Sequence, residues 1–223
     1  MTIVVEAAVD SLDDAMAAVE GGADRLELCA NLAVGGTTPD PELIAAVVGL
    51  VDIPVFAMIR PRGGSFVYSA SELEQMRRDV GAAIESGAAG IVLGVLDQER
   101  RIDVEHTRSL VTLAGGAPVT FHRAFDRTPD LLASADALMS LGVSRVLTSG
   151  GAATASEGAD GLAALVAHCG TPLGILAGGG VRAGNVAEIV RRTGVHEVHA
   201  RCEGDAARIR AIRDVVRAGA SGA

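Results

Sequence analysis

The chain has 223 residues, 49% of them hydrophobic, and carries 19 Lys and Arg against 28 Asp and Glu, a net charge of −9. Such a negative field repels nucleic acid and anionic lipid, which argues against a partner of either class. The longest apolar run, residues 43–51, is far shorter than the roughly 20 residues of a membrane-spanning helix, and three cysteines without a close-spaced pair suit a reducing compartment, so we expect a cytoplasmic protein.

Short apolar runs rich in strand-forming residues alternate with Ala-rich segments of helical period, a pattern typical of repeated βα units. The runs, in chain order, are residues 3–7, 25–29, 55–60, 90–95, 119–123, 145–149, 174–178 and 197–200. The even-numbered runs are entered through Gly and the third, fifth and seventh through Pro, so the repeat is a pair of βα units. Eight units in fewer than about 250 residues predict a single-domain (β/α)8 TIM barrel over residues 1–223 and disfavour an open doubly wound sheet.

In barrels of this class the active site lies where the strands end and the βα loops begin. The candidates there for acid–base or substrate chemistry are Glu6, Glu27, Arg60, His122, Asp126 and Ser149, and those for ligand binding are Arg62, Gly178, Gly179, Gly180 and His199. A buried unpaired charge is unfavourable, so we expect Glu27 and Arg60, on neighbouring strands, to form an ion pair. The alternative is a purely structural ion pair in the barrel's side-chain layers.

The loop RPRGGSFVY, residues 60–68, places Arg60 and Arg62 before two glycines. An extended backbone through Pro61 would aim both guanidinium groups to one side, where their planar forks suit phosphate or carboxylate. The loop therefore predicts an anion clamp. The alternative is that Arg62 is a solvated loop residue.

The glycine-rich segment LAGGGVRAGNV, residues 176–186, follows the seventh run and leads into a helix. Backbone N–H groups and a helix N-terminus at this position bind phosphate in many barrels. The segment is therefore a candidate phosphate site, although a tight βα turn would need the same glycines.

The segment VTFHRAFD, residues 119–126, places His122 and Asp126 at the end of the fifth run. Histidine titrates near neutrality and can serve as a general acid or base, with Asp126 to orient it. The alternative is a structural histidine.

The motifs GGADRLELCANL, PVFAMIRPRGG, TFHRAFD and ILAGGGV occur in this order over nearly the whole chain. Together they resemble the CutC family, often described as copper homeostasis proteins. The resemblance implies a cytoplasmic (β/α)8 barrel that self-associates as a dimer or tetramer and binds Cu(I). Val34 and Ser65 stand where relatives commonly carry an acid, a difference that concerns the rim of the pocket more than its floor.

Cu(I) prefers soft ligands, and one thiolate alone is a poor site. Cys29 is the candidate metal ligand, and Met58 on the neighbouring strand is a candidate second ligand. We expect Cys202 at the same barrel face but about two strand spacings away, and Cys169 at the opposite face. The alternative is that Cys29 packs as a small buried hydrophobic residue.

Two hypotheses follow from these residues. The first is a copper-handling protein whose partner is the copper ion and whose first ligand is Cys29. The second is an enzyme that acts on a small anionic or phosphorylated molecule at the barrel mouth. The resemblance favours the first hypothesis, and the hard, charged groups at the strand ends favour the second.

Overall fold

The structure is a computed structural model that describes residues 2–220, so the predicted domain limits at Met1 and 221–223 lie outside the described residues. Strands and helices alternate along the chain. The strands are β1 (Val4–Val9), β2 (Arg25–Leu28), β3 (Val55–Met58), β4 (Gly90–Leu93), β5 (Val119–Phe121), β6 (Arg145–Thr148), β7 (Gly174–Ala177) and β8 (Glu197–Arg201). The helices are α1 (Leu12–Glu20), α2 (Pro41–Leu50), α3 (Ala70–Glu85), α4 (Val104–Leu113), α5 (Leu131–Ser140), α6 (Ala159–Cys169), α7 (Val186–Thr193) and α8 (Ala206–Ala220).

The strands form one closed parallel barrel in sequence order, with β8 paired back to β1. Each of the eight predicted runs overlaps one strand, and β1 and β8 continue two residues and one residue beyond the predicted ends. The (β/α)8 prediction is therefore confirmed and the open sheet is wrong. No helix among residues 2–220 is both long enough and apolar enough to cross a bilayer.

Local sequence explains where the elements begin and end. The α3 helix starts with a capping box, in which the Ser69 side chain accepts from the Glu72 N–H and the Glu72 carboxylate accepts from the Ser69 N–H. The predicted glycines that precede the even-numbered strands, Gly22, Gly87, Gly142 and Gly194, all have positive φ angles. That left-handed conformation ends the preceding helix and favours glycine.

The barrel interior carries charge. In the register between strands, Glu6 of β1 lies beside Arg25 of β2 and beside His199 of β8, so the three side chains share one side of the sheet. Phe56 of β3 packs against two interior guanidinium groups, with the Arg25 and Arg145 carbons 5.2 and 5.4 Å from the ring centroid. The main hydrophobic core instead fills the layer between the strands and the helices.

Gly90 gives a direct test of this packing, because a Cβ there would lie 2.6 Å from the Pro118 carbonyl oxygen and 2.7 Å from the Phe56 ring. We expect Gly90→Ala to lower the free energy of unfolding by about 1–3 kcal/mol, since the interior must shift to admit the methyl group. Gly49→Ala is the matched control, because Gly49 lies in α2 with open space around it. The control should raise stability by up to about 1 kcal/mol. Equal effects of the two variants in urea unfolding would contradict this description of the interior.

Candidate functional site

The carboxyl ends of the strands open into a cavity of about 1630 Å³. Among the predicted residues, Glu27, Arg60, His122, Asp126, Gly179, Gly180 and His199 line it. Glu6 lies beneath, with no exposed surface. The structure thus brings most of the candidates together at one end of the barrel.

A buried ion pair forms the floor beneath the cavity. Arg25 donates through Nε to Glu6 Oε2, and through Nη2 to Glu197 Oε2 at 2.6 Å. Glu6 Oε1 accepts from Nδ1 of His199 at 2.8 Å. Burial alone would raise the pKa of Glu6, but the hydrogen bond from His199 and the charge of Arg25 outweigh it and hold the pKa at about 2. Glu6 is therefore ionised and fixes the orientation of the His199 ring.

Glu27 faces the other nitrogen of that ring, with Oε2 3.8 Å from His199 Nε2. Burial and the nearby charge of Glu6 raise the pKa of Glu27. Burial acts to lower the pKa of His199, but the charge of Glu27 and the hydrogen bond to Glu6 raise it overall. Glu27 and His199 are therefore a pair between which a proton can be shared. The second carboxylate oxygen of Glu27, Oε1, is buried without a hydrogen-bond partner among the described residues.

His122 directly follows β5 and is 4% exposed. Its Nδ1 accepts from the Ala124 backbone N–H at 3.2 Å, and its Nε2 is buried without a partner among residues 2–220. Burial and the charge of Arg60 lower the pKa of His122 to about 3. Both effects disfavour the protonated ring, and the predicted role of His122 as a general acid or base stays a prediction.

Arg60 does not pair with Glu27, so that predicted ion pair is wrong. Its Nη1 donates to the carbonyls of Val34, Gly35 and Gly36, and its Nη2 donates to the carbonyl of Gly64. The guanidinium group lies 4.8 Å from the centroid of the Phe66 ring. Arg60 thereby joins two βα loops, and its Nε remains buried without a partner in the described part of the chain.

Arg62 does not complete the predicted clamp with Arg60. Its guanidinium pairs with Glu72 of α3 and donates to the carbonyls of Ser65 and Val67. The side chain also stacks over Tyr68, 5.2 Å from the ring centroid. Arg62 therefore stabilises its own loop. Its guanidinium is held by the nearby Glu72 carboxylate at the start of α3 and does not reach into the cavity.

Asp126 was expected to orient His122, and this expectation is wrong. Its carboxylate accepts from Arg123 Nε at 2.8 Å, from the Thr148 hydroxyl, and from the backbone and hydroxyl of Ser149. Ser149 is fully buried and donates to the carbonyl of Ala152. Asp126 and Ser149 therefore belong to a polar network that joins the loops after β5 and β6.

The glycine segment after β7 contributes in part. Gly178 is buried and donates its N–H to the Thr148 carbonyl at 2.9 Å, so it extends the sheet. Gly179 and Gly180 have φ angles of +100° and +74° and line the cavity. Their left-handed backbone lets this loop border the cavity without side chains.

The structure offers two kinds of metal ligand set. Ligand atoms of Glu6, Glu27 and His199 lie within 4.8 Å of one another, a set of oxygen and nitrogen donors. Both oxygens of Glu6 are already occupied by Arg25 and His199, however, which leaves only Glu27 and His199 Nε2 facing open space.

The soft set is Cys29 with Met58. Both lie in a small interior cluster, and a Cβ placed on Gly36 would be 2.8 Å from Cys29 Sγ and 3.5 Å from Met58 Cε. Burial and the adjacent Glu27 carboxylate raise the pKa of the Cys29 thiol well above its usual range. Cys202 interacts with Asp14 instead, and Cys169 lies at the end of α6. A thiolate at Cys29 is therefore disfavoured until a cation displaces its proton.

Sequence reasoning missed three interior residues, Arg25, Arg145 and Glu197. Each is the first residue of its strand, and Glu197 accepts from both arginines. A charge at the start of a buried strand, repeated on β2, β6 and β8, was the available signal.

Known proteins resemble this chain closely. The sequence profile of the CutC family matches residues 3–204. The CutC family protein of Photobacterium profundum is 45% identical over 199 residues, covering 89% of this chain and 81% of the relative. That of Caulobacter vibrioides is 47% identical over 197 residues, covering 88% and 80%. A solved structure described as a candidate copper homeostasis protein CutC from Streptococcus agalactiae is 38% identical, with a TM-score of 0.85 over 89% of this chain and 98% of that one.

The two floor glutamates should respond in opposite ways to the same substitution. Glu6 has a lowered pKa, so its stabilising effect is present above the ordinary value of 4.5 and is lost as the pH falls through about 2. Glu6→Gln should therefore lower the free energy of unfolding at pH 7 by about 3 kcal/mol, because Arg25 loses a buried partner. The deficit should shrink as the pH falls below 4.5.

Glu27 has a raised pKa, so its ionisation in the folded state costs stability as the pH rises above 4.5. Glu27→Gln should be neutral or stabilising at pH 7. Urea unfolding at pH 7, 5 and 3 measures both variants. A Glu27→Gln variant as unstable as Glu6→Gln would contradict the assignment of charge in the floor.

Proposed function

This chain is a member of the CutC family, and from the geometry of its barrel mouth we propose that it is an enzyme performing acid–base chemistry on a small anionic molecule. The observation that supports this most concerns buried side-chain polar atoms without hydrogen-bond partners: residues 2–220 contain six of them, and three belong to residues that line one cavity. Those three are Glu27 Oε1, Arg60 Nε and His122 Nε2.

An unsatisfied buried polar group costs about 1–3 kcal/mol, so native proteins retain few of them. Three around one cavity suit a ligand that supplies both donors and acceptors. The unsatisfied atoms lower the stability of the free protein, but they are already positioned to bind a substrate.

The charge around the cavity favours an anion. Among the described residues that line it, seven are arginines and three are acidic, although the whole chain has a net charge of −9. The arginines are Arg60, Arg100, Arg123, Arg127, Arg182, Arg201 and Arg208. A local positive field within an acidic protein draws a small anion to this mouth rather than to the surface as a whole.

The proposed proton-transfer groups are Glu27 and His199. Glu6 accepts from His199 Nδ1, which directs Nε2 toward Glu27 and the cavity. Burial raises the pKa of Glu27. Burial acts to lower the pKa of His199, but the charge of Glu27 and the hydrogen bond to Glu6 outweigh it and raise that pKa overall. Both shifts favour a proton on this pair, as general acid–base catalysis requires. Gly179, Gly180 and Arg182 border the other side of the mouth, where a phosphate group on the substrate would meet backbone and guanidinium donors.

Anion binding is the first test of this proposal. Millimolar malonate or inorganic phosphate should raise the melting temperature, because a ligand selective for the folded state adds about 2.7 kcal/mol at a hundred times its Kd. Arg60→Met should remove most of the shift. Arg78→Met is the matched control, since Arg78 is an exposed arginine of α3. Cys29→Ser should keep the shift of the parent. The proposal fails if no anion stabilises the parent, or if Arg60→Met responds as the parent does.

A second candidate function is Cu(I) binding. It is supported by the copper homeostasis description of the Streptococcus agalactiae protein and by the adjacency of Cys29 and Met58. A thiolate and a thioether are ligands that Cu(I) prefers. The high pKa of the Cys29 thiol makes such binding depend on proton displacement, so affinity should increase with pH.

Copper binding has its own test. Cu(I) titrated against a competing chelator under reducing conditions should bind one equivalent, and Cys29→Ser and Met58→Leu should each weaken that binding. Cys169→Ser is the control, because Cys169 lies in α6. If Cys29→Ser and Cys169→Ser bind copper as the parent does, a specific site at Cys29 is excluded.

Self-association and a cytoplasmic location, which the family resemblance implies, remain proposals beside these two functions.

A further inference from the structure

We propose that Arg60 and His122 form a paired hydrogen-bond donor for a carboxylate or carbonyl oxygen of the substrate, with His122 donating through Nε2–H. This inference rests on the proposed anionic substrate and names its chemistry as a small carboxylate. It assigns His122 to substrate binding and leaves proton transfer to the opposite wall.

The hydrogen bonds of the His122 ring determine its tautomer. Its Nδ1 accepts a hydrogen bond from the Ala124 N–H at 3.2 Å, so in the neutral ring the proton must reside on Nε2. Nε2–H is buried and lacks a partner among the described residues, in a side chain that borders the cavity. It is therefore a donor that a ligand can use.

Arg60 supplies the matching donor. Four backbone carbonyls occupy Nη1 and Nη2, which fixes the plane of the guanidinium and leaves Nε–H open. Arg60 is 5% exposed, so this charge is shielded from water. A fixed, partly desolvated N–H of this kind needs no reorganisation when an anion arrives.

The two donor side chains share one packing neighbour. Phe66 contacts both, with the Arg60 guanidinium carbon 4.8 Å and the His122 ring centroid 5.0 Å from the Phe66 centroid. The charge of Arg60 acts on His122 strongly enough to contribute to its low pKa of about 3. Protonation of His122 would set two cations together in a buried wall, so the ring donates while neutral.

The position of the His122 ring also depends on the space left by Gly94. A Cβ on Gly94 would lie 2.3 Å from His122 Cε1 and 2.4 Å from Nδ1. Gly94, directly after β4, therefore leaves the space that the imidazole occupies beside the Ala124 N–H.

The substrate class follows from these donors. Two N–H groups, one of them cationic, match the two oxygens of a carboxylate or one oxygen that gains charge during reaction. Glu27 borders the same cavity with Oε1 open and is the proton-exchanging group of the proposed function. The geometry suits a small carboxylate whose neighbouring atom gains or loses a proton.

Nitrogen-15 NMR of the histidine rings tests the proposal in the intact protein. His122, identified among the five histidines by its absence in the His122→Gln spectrum, should show the neutral Nε2–H tautomer from pH 8 to pH 5. Malonate should shift its Nε2–H resonance. A His122 that titrates near pH 6.5, or that shows the Nδ1–H tautomer, overturns the proposal.

Affinity measurements separate this inference from the proposed function. His122→Gln keeps a neutral donor and should retain malonate affinity within about threefold, whereas His122→Leu should weaken it by about tenfold or more. His106→Leu, in α4 and paired with Asp103, is the matched control and should bind as the parent does.

Three outcomes remain distinct. Malonate that stabilises the protein without moving the His122 resonance overturns the donor pair and leaves the anionic-substrate proposal standing. Phosphate that moves the resonance while malonate does not overturns the carboxylate assignment. Absence of any anion binding overturns the proposed function and the donor pair together.

Discussion

The buried pairing of Arg25 with Glu6 is the constraint on which the rest of the site depends. Barrel closure places Glu6 between Arg25 and His199 in one register, so an ionised carboxylate sits beneath the cavity. Glu197 accepts from both Arg25 and Arg145, and Phe56 packs against both guanidinium groups. Because Glu6 is thereby committed as an anion, His199 is held in one orientation and Glu27 is left as the floor carboxyl without a fixed cation. The asymmetry between two glutamates on adjacent strands arises from this one pairing.

The same asymmetry separates the groups that maintain the fold from those available for chemistry. Arg62, Asp126 and Ser149 are occupied by hydrogen bonds that hold loops to one another or to a helix. Glu27, Arg60 and His122 each keep one buried atom open. An enzyme site requires such incompletely satisfied groups, and a Cu(I) site requires available sulfur. Cys29 and Met58 provide sulfur, but the thiol proton is retained by burial and by Glu27. The two candidate sites are therefore adjacent. Copper binding requires loss of the Cys29 proton, which the Glu27 carboxylate opposes, whereas acid–base chemistry requires Glu27 itself to exchange a proton.

Much of the fold could be predicted from the sequence, because each buried strand is a short apolar run and each Gly or Pro before it ends the preceding connection. The position of the cavity followed from that topology. The partners of individual charges could not be predicted, since they depend on stagger around the barrel and on loop shape. Arg60 was assigned to Glu27 from strand adjacency, yet the loop after β2 folds back so that three of its carbonyls reach the guanidinium first. Likewise Asp126 turns toward Ser149 and away from His122.

We infer that Glu27 Oε1, Arg60 Nε and His122 Nε2, which lack partners among the described residues, bind one anionic ligand. A crystal structure of the protein soaked in malonate tests it most directly. The account predicts a carboxylate within hydrogen-bond distance of Arg60 Nε and His122 Nε2, with the rest of the molecule extending toward Glu27. Ordered water satisfying all three atoms, with malonate absent from the mouth or bound only to rim arginines, would contradict it.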